Sequence, residues 1–355
     1  MSCEFIFFVA FCSFIVGILF FDLKVVGRKS HIVSLKESLI WTSVWVAFAL
    51  LFYLFINFFG EKIHGIDSMQ RLIEVRGRYA EHVPLFPDNL QLSLAKYRHN
   101  MATEFITGYL IEYTLSIDNI FVMMMLLSSF SVKEKYYKKV LFWGIFGAIV
   151  LRCLFIFAGA ALIQRFKWIL LIFGAFLLYS GINMFLNRNK EEKIEPQSHW
   201  LVLFLSRHFR VFQRYVTGNF FVRRNNKTYL TPLFVVLMII EFTDLIFAFD
   251  SIPAIFAVTI DPYIVFFSNI FAILGLRSLF FLLAKIVRLF RFLKVGVSLL
   301  LAFIGFKLLL GEWLDKFGFQ TIYSLYIILG TLLVSILLSL IFPEKKLNSN
   351  KKTDN

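Results

Sequence analysis

The chain has 355 residues, enough for two soluble domains, but 59% of them are apolar, only 17% are charged, and the mean hydropathy is +0.75. That composition leaves too little polar surface for a soluble fold, and apolar stretches of about twenty residues recur along the whole length, so the chain is a multi-span membrane protein. The net charge of +14 does not indicate nucleic acid, because the basic residues lie in loops between apolar segments, where they set orientation and meet anionic lipid.

Nine apolar segments are long enough to cross a bilayer about 30 Å thick: 5–22, 39–59, 105–129, 140–163, 168–186, 230–258, 264–284, 292–311 and 321–342. The first lacks a basic n-region and a small-x-small cleavage site, so it reads as a retained anchor. Loop 60–104 balances six Lys/Arg against six Asp/Glu, whereas loop 187–229 carries nine Lys/Arg against three Glu. Lys and Arg concentrate in the loops that fall inside if the N-terminus is outside, which predicts an N-out, C-in topology. Within the basic loop, the run from Trp200 to Val216 carries Arg207, Arg210 and Arg214. It reads either as a membrane-surface helix or as a solvated loop. The 46 Phe read as a compositional bias rather than a stacking device. Cys3, Cys12 and Cys153 are scattered without metal-ligand spacing. All six histidines fall in predicted loops, and a solvated loop is the expectation for His64, His82 and His99.

A weak internal repeat organises the chain. The third span reads IEYTLSIDNIFV and the sixth EFTDLIFAFDSIPA. Aligned on Asp118 and Asp250, each is followed by a small polar residue and isoleucine, and each has a carboxylate six residues earlier, Glu112 and Asp244. One span later come Arg152 and Arg277, each followed two residues on by Leu-Phe; one further span on come Gly181 and Gly305. Spans 3–5 and 6–8 therefore read as two copies of a three-helix unit. Three is odd, so the copies enter the membrane from opposite sides, the pattern of transporters with a site near the midplane. The expected organisation is two spans and a long outer loop in 1–104, a first repeat in 105–186, a basic cytoplasmic loop in 187–229, a second repeat in 230–311, and a last span with a basic tail in 312–355. The fold class is all-α, a polytopic helical bundle.

Five acids lie inside predicted spans: Glu112, Asp118, Glu241, Asp244 and Asp250. Each ionised acid at a helix centre costs on the order of 2.5–3.5 kcal/mol on insertion scales, and the usual reason for keeping one is an ion or proton path. With no histidine in the spans, a Ser-His hydrolase is disfavoured. No GxGD segment marks an intramembrane aspartyl protease, and no GxxxxGK[ST] loop marks a nucleotide-driven pump. The chain does not read as an enzyme, and no permanently bound cofactor is expected. Oxygen donors suit a hard divalent cation such as magnesium, calcium or manganese. Asn119 and Ser251 either complete its shell or serve helix packing. Arg152 and Arg277 are expected to neutralise spare carboxylates, and Lys307 to snorkel towards the outer surface.

Helix geometry sets a condition. Residues six apart lie about 240° apart around an ideal helix, so Asp244 and Asp250 cannot share a face, nor can Glu112 and Asp118. Convergence needs a broken helix or contributions from opposite sides of a pore. Pro253 has no N–H for the carbonyl of Phe249, which predicts a break in the sixth span between 244 and 253. The third and sixth spans are expected side by side and antiparallel, with Asp118 and Asp250 close enough to share one cation.

The segments GYLIEYTLSIDNIFV, VLFWGIFGAIVLR, EFTDLIFAFDSIPAIFAVT and SNIFAILGLRSLFF resemble those of the TerC family of bacterial integral membrane proteins, especially its Alx-type manganese exporter branch. The resemblance spans roughly residues 100–342. It implies a bundle of about nine spans, N-out and C-in, in the bacterial cytoplasmic membrane. The implied activity is manganese(II) efflux; some members are tied to tellurite resistance or to metal supply for exported enzymes. By position, Glu112 and Asp118 match the acids of the first motif, and Glu241, Asp244 and Asp250 those of the second. Thr114 stands where many members have serine, and Phe249 where many have valine. The expected function is export of a hard divalent cation, manganese(II) foremost, with protons as a candidate coupling ion. The alternative is a non-transporting membrane scaffold for metal or tellurite stress, recruiting partners through loop 187–229. The oligomeric state is not legible in the sequence.

Overall fold

The computed structural model describes residues 3–26, 33–166, 168–187, 200–209, 211–212, 218–224, 227–286 and 292–342. In chain order the helices are α1 (Cys3–Val26), α2 (Leu35–Phe59), α3 (Glu61–His64), α4 (Met69–Tyr79), α5 (Leu90–Ser129), α6 (Tyr137–Arg165), α7 (Ile169–Leu186) and α8 (Trp200–His208). A small antiparallel hairpin follows, β1 (Phe221–Arg224) with β2 (Lys227–Leu230). Then come α9 (Pro232–Phe256), α10 (Pro262–Ile286), α11 (Leu293–Leu309), α12 (Gly311–Lys316) and α13 (Thr321–Ile341).

All nine predicted spans fall on helices, and eight of those helices are long and apolar enough to cross a membrane. The ninth is α11, whose 17 residues reach about 25 Å. Caps fix several starts: Ser34 accepts from the Glu37 N–H at 3.1 Å and Asn89 from the Leu92 N–H at 2.9 Å, while Pro232 opens α9 where its missing N–H costs nothing. The nine-residue α8 occupies the start of the basic stretch, whose Arg210 and Arg214 lie outside the described residues.

Two expectations need correction here. Residues 90–104 are not loop: they continue the third span N-terminally into a 40-residue helix about 60 Å long, because Asn89 caps it and no proline or glycine interrupts the stretch. The phenylalanines also do more than fill lipid. Phe11, Phe52, Phe267 and Phe271 stack or tilt against one another, with centroids 4.4 Å apart for Phe11–Phe267 and 4.8 Å for Phe52–Phe271, and so bind α1 and α2 to α10. Helix α10 is the most enclosed element, whereas α2, α7 and α13 turn many apolar side chains outward, as a lipid-facing ring does.

The two three-helix units meet in a consistent pattern. α5 packs on α10, α6 on α9, α7 on α11 and α5 on α9. Exchanging α5 with α9, α6 with α10 and α7 with α11 leaves that set unchanged, as a two-fold axis requires. At the α7–α11 crossing the match holds atom by atom. A β-carbon on Gly181 would lie 2.6 Å from the Ala302 nitrogen and 2.8 Å from the Ser298 oxygen. One on Gly305 would lie 2.5 Å from the Leu178 nitrogen and 2.7 Å from the Gly174 oxygen. Gly181 is to Gly305 as Leu178 is to Ala302 and Gly174 to Ser298. The two backbones touch, and only glycine permits it. Since Gly174 meets Leu308 and Gly181 meets Ser298, the helices run antiparallel. The same reading makes α5 antiparallel to α9, because Gly108 adjoins Ile255 while Asp118 shares a cavity with Asp250 and Phe247.

Candidate functional site

The predicted site residues fall into three places rather than one shell. The first is a buried ion-pair cluster. Arg152, fully enclosed on α6, donates to Glu112 of α5, to the Asn269 side-chain oxygen of α10 at 2.9 Å, and to the Ser251 hydroxyl at 3.4 Å. It also spans both carboxylate oxygens of Asp244 at 3.3 and 3.4 Å. Ser116 donates to Glu112 at 3.2 Å, and Asn269 donates back to the Val265 carbonyl at 2.9 Å. One guanidinium thus holds two carboxylates from two different repeats, with its planar fork matched to the acceptors. Arg277 sits beyond it, lining a small cavity with Asp244, Gly144 and Met123.

The second place is a cavity of about 320 Å³. Its walls are Leu115, Asp118 and Asn119 of α5, Phe247 and Asp250 of α9, Ser180, Asn183, Met184 and Asn187 along α7, and Lys294, Val297 and Leu301 along α11. The repeat mates Asp118 and Asp250 therefore face one space, as do the repeat mates Leu115 and Phe247. The Asp250 Oδ1 is buried and accepts no hydrogen bond within the protein. Asn187 donates to the Asn183 side-chain oxygen at 2.8 Å, so the α7 wall presents amides and a hydroxyl. The cavity extends to Asn187 and Lys294, at the helix ends that adjoin the basic segments.

The third place holds Glu241 alone, lodged where a β-carbon on Gly147 would stand, with its Oε2 buried and without a hydrogen-bond partner.

The expected break in the sixth span is absent: α9 runs as one helix from Pro232 to Phe256 with Pro253 inside it. A proline removes one hydrogen bond, and here it lies in the last turn, where Ala257 still bonds the Pro253 carbonyl at 3.1 Å. No break is needed, because Asp244 and Asp250 use their 240° separation to serve two different places. Among the described residues no three His, Cys, Asp or Glu side chains gather as a metal cluster, so any cation in the cavity rests on Asp118 and Asp250 with neutral oxygens around them.

The structure adds residues that the sequence reading missed. Lys294 brings a positive charge into the aspartate cavity. Ser180, Asn183 and Asn187 fall at spacings of three and four along α7, a polar stripe on an otherwise apolar helix that was visible in the sequence. The histidine reading also changes. His64 lies in α3, fully buried, with Nε2 2.8 Å from Asp261 and Nδ1 3.2 Å from Glu4. Burial alone pulls this imidazole down, but the two carboxylates outweigh it and lift its pKa to about 9. Arg71 closes the group by bonding Glu4 at 3.2 Å and Glu74 at 2.8 Å. His82, by contrast, is exposed, as a solvated loop requires.

These features define a class: a multi-pass helical membrane protein built around two inverted three-helix units. Residues 97–347 match the integral membrane protein TerC family, and the chain belongs to that family. It is 40% identical over 331 residues to the uncharacterized membrane protein STKORF319 of Myxococcus xanthus, covering 93% of this chain and 91% of that one. It is 40% identical over 319 residues to the "Putative membrane-bound redox modulator Alx" of Escherichia coli (strain K12), covering 90% and 89%. An uncharacterized membrane protein of Rickettsia felis is 36% identical over 333 residues, covering 94% and 97%. No solved structure matches.

Proposed function

We propose that the protein exports a hard divalent cation, manganese(II) foremost, across the bacterial cytoplasmic membrane in an N-out, C-in orientation. The observation that carries this reading is the pair Asp118 and Asp250, which repeat-related positions aim into one cavity. At about 30 Å³ per water, 320 Å³ has room for a cation with much of its hydration shell. Two carboxylates supply the charge, and Asn119, Ser180 and Asn183 supply neutral oxygens, a donor set that suits manganese better than zinc or copper. Lys294 stands in for the cargo when the cavity is empty, leaving one net negative charge to attract the ion. Glu112 and Asp244 are held together by Arg152, which offsets one of their two charges, and serve to close the protein core rather than to hold cargo. Protons are the candidate counter-ion for exchange.

The test is cellular metal content with and without the protein. Expression should lower manganese and leave zinc and copper unchanged, and Asp118→Asn should abolish the effect. A scaffold would tolerate Asp118→Asn and fail when residues 188–229 are removed.

A further inference from the structure

The geometry points to a second, oppositely open state of this chain, in which the α7–α11 crossing parts at its other end and Arg277 takes the place of Arg152 between Glu112 and Asp244. This inference rests on the transporter reading above and adds how the site changes sides.

The argument starts from the two-fold. Its register is constant along α7 and α11, so each cavity-lining residue has a mate: Ser180 has Ile304, Asn183 has Lys307, and Leu301 has Leu177. In this structure the two members of a pair are not in the same environment. Ser180, Asn183 and Leu301 border the cavity. Ile304 and Leu177 are buried and are not among its walls, and beside them Gly174 packs against Leu308. The crossing is thus open at the Asn187–Lys294 end and shut at the other. Nearly identical backbone contacts at Gly181 and Gly305 make it a symmetric pivot, so tilting the opposite way forms an equivalent set of contacts. Two packings of similar energy are what a bistable interface requires.

The arginines follow the same register. Arg152 bridges Glu112 and Asp244, which are themselves repeat mates, so the acceptor pair maps onto itself under the exchange. Arg277, the mate of Arg152, already shares a cavity with Asp244 and Gly144. Gly144 is the mate of Asn269, the neutral partner of Arg152, and has no side chain to bar the approach of the guanidinium. One acid pair then serves two arginines in turn. The second mouth is not a copy of the first, however. Where this one carries the Asn183 amide and the Lys294 ammonium, the other carries the Lys307 ammonium and Leu170 at the matching positions.

The test uses the full chain in sealed vesicles, with Cys3, Cys12 and Cys153 replaced by serine and single cysteines introduced at Ser180→Cys or Ile304→Cys. A membrane-impermeant maleimide is added from one side or the other. Ser180→Cys should react from the side of the basic loop, and Ile304→Cys, buried here, should react from the opposite side. Arg277→Gln should slow labelling at 304 several-fold, and Arg152→Lys should raise it while lowering labelling at 180. Leu301→Cys and Leu177→Cys form a second pair should the first fail to insert. If the cysteines at both 304 and 177 stay unreactive from the opposite side, or react only from the side that labels 180, the inference falls. That result leaves manganese loss in cells untouched as support for the cargo. Two-sided labelling without any movement of manganese upholds the inference and removes the cargo.

Discussion

Glu112 with Asp244 and Asp118 with Asp250 are two acid pairs produced by one repeat, six residues apart on the same helices, yet they end in opposite environments. The first pair is enclosed and locked by Arg152, which also bonds Ser251 and Asn269, and Glu112 accepts from Ser116. The second faces a cavity of about 320 Å³. The difference comes from helix geometry: a six-residue step turns the side chain by about 240°, so a single unbroken helix serves both a closed core and an open path. A carboxylate in a membrane is not by itself a ligand. Its partner decides.

The contrast is most sharply tested at the arginine. Arg152→Ala strands two buried carboxylates, and removing one member of a buried ion pair costs about 3–5 kcal/mol. Membrane levels and thermal stability in detergent should fall steeply. Lys294→Ala, in the open cavity, should change them little. Equal effects would erase the distinction between the two regions.

The helix crossing gives a smaller effect. Gly181→Ala and Gly305→Ala each drive a methyl group into the partner backbone and should destabilise by about 1–3 kcal/mol, equally for both. Gly144→Ala, whose new carbon would meet Ile240 at an ordinary 3.7 Å, should leave detergent stability unchanged. Unequal losses at 181 and 305 would argue against the two-fold.

At the far end of the bundle, His64 provides a pH signature. Its pKa is raised from 6.5 to about 9 by Asp261 and Glu4. A group whose folded pKa is raised contributes stability fully below about pH 6.5 and loses it as the pH climbs through 9. Thermal stability should therefore decline between those values, and His64→Gln should flatten the slope while lowering stability at neutral pH.

Much of this was legible in the sequence, and the failures have physical reasons. Hydropathy located nine helices because each must bury its backbone polar groups within about 30 Å of hydrocarbon. The charged pairs Glu112/Asp244 and Arg152/Arg277 exposed the repeat because charges are rare in such segments. His64 was misread because six acids and six bases in 60–104 look solvated. Yet Leu72, Val75 and Tyr79 of α4 are buried at helical spacing, and such a pattern marks a segment folded onto the bundle. Lys294 was overlooked because one lysine at a helix start resembles any positive-inside residue. The predicted break at Pro253 assumed that all five acids must converge, and the structure gives them separate places.

The central claim is that Asp118 and Asp250 form a cation path while Glu112 and Asp244 close the core. Manganese retained by cells expressing Asp118→Asn, Asp250→Asn or the unsubstituted chain, at matched membrane levels, measures it directly. The account predicts that both variants insert normally and retain as much manganese as cells without the protein. Manganese loss undiminished in both variants would contradict it.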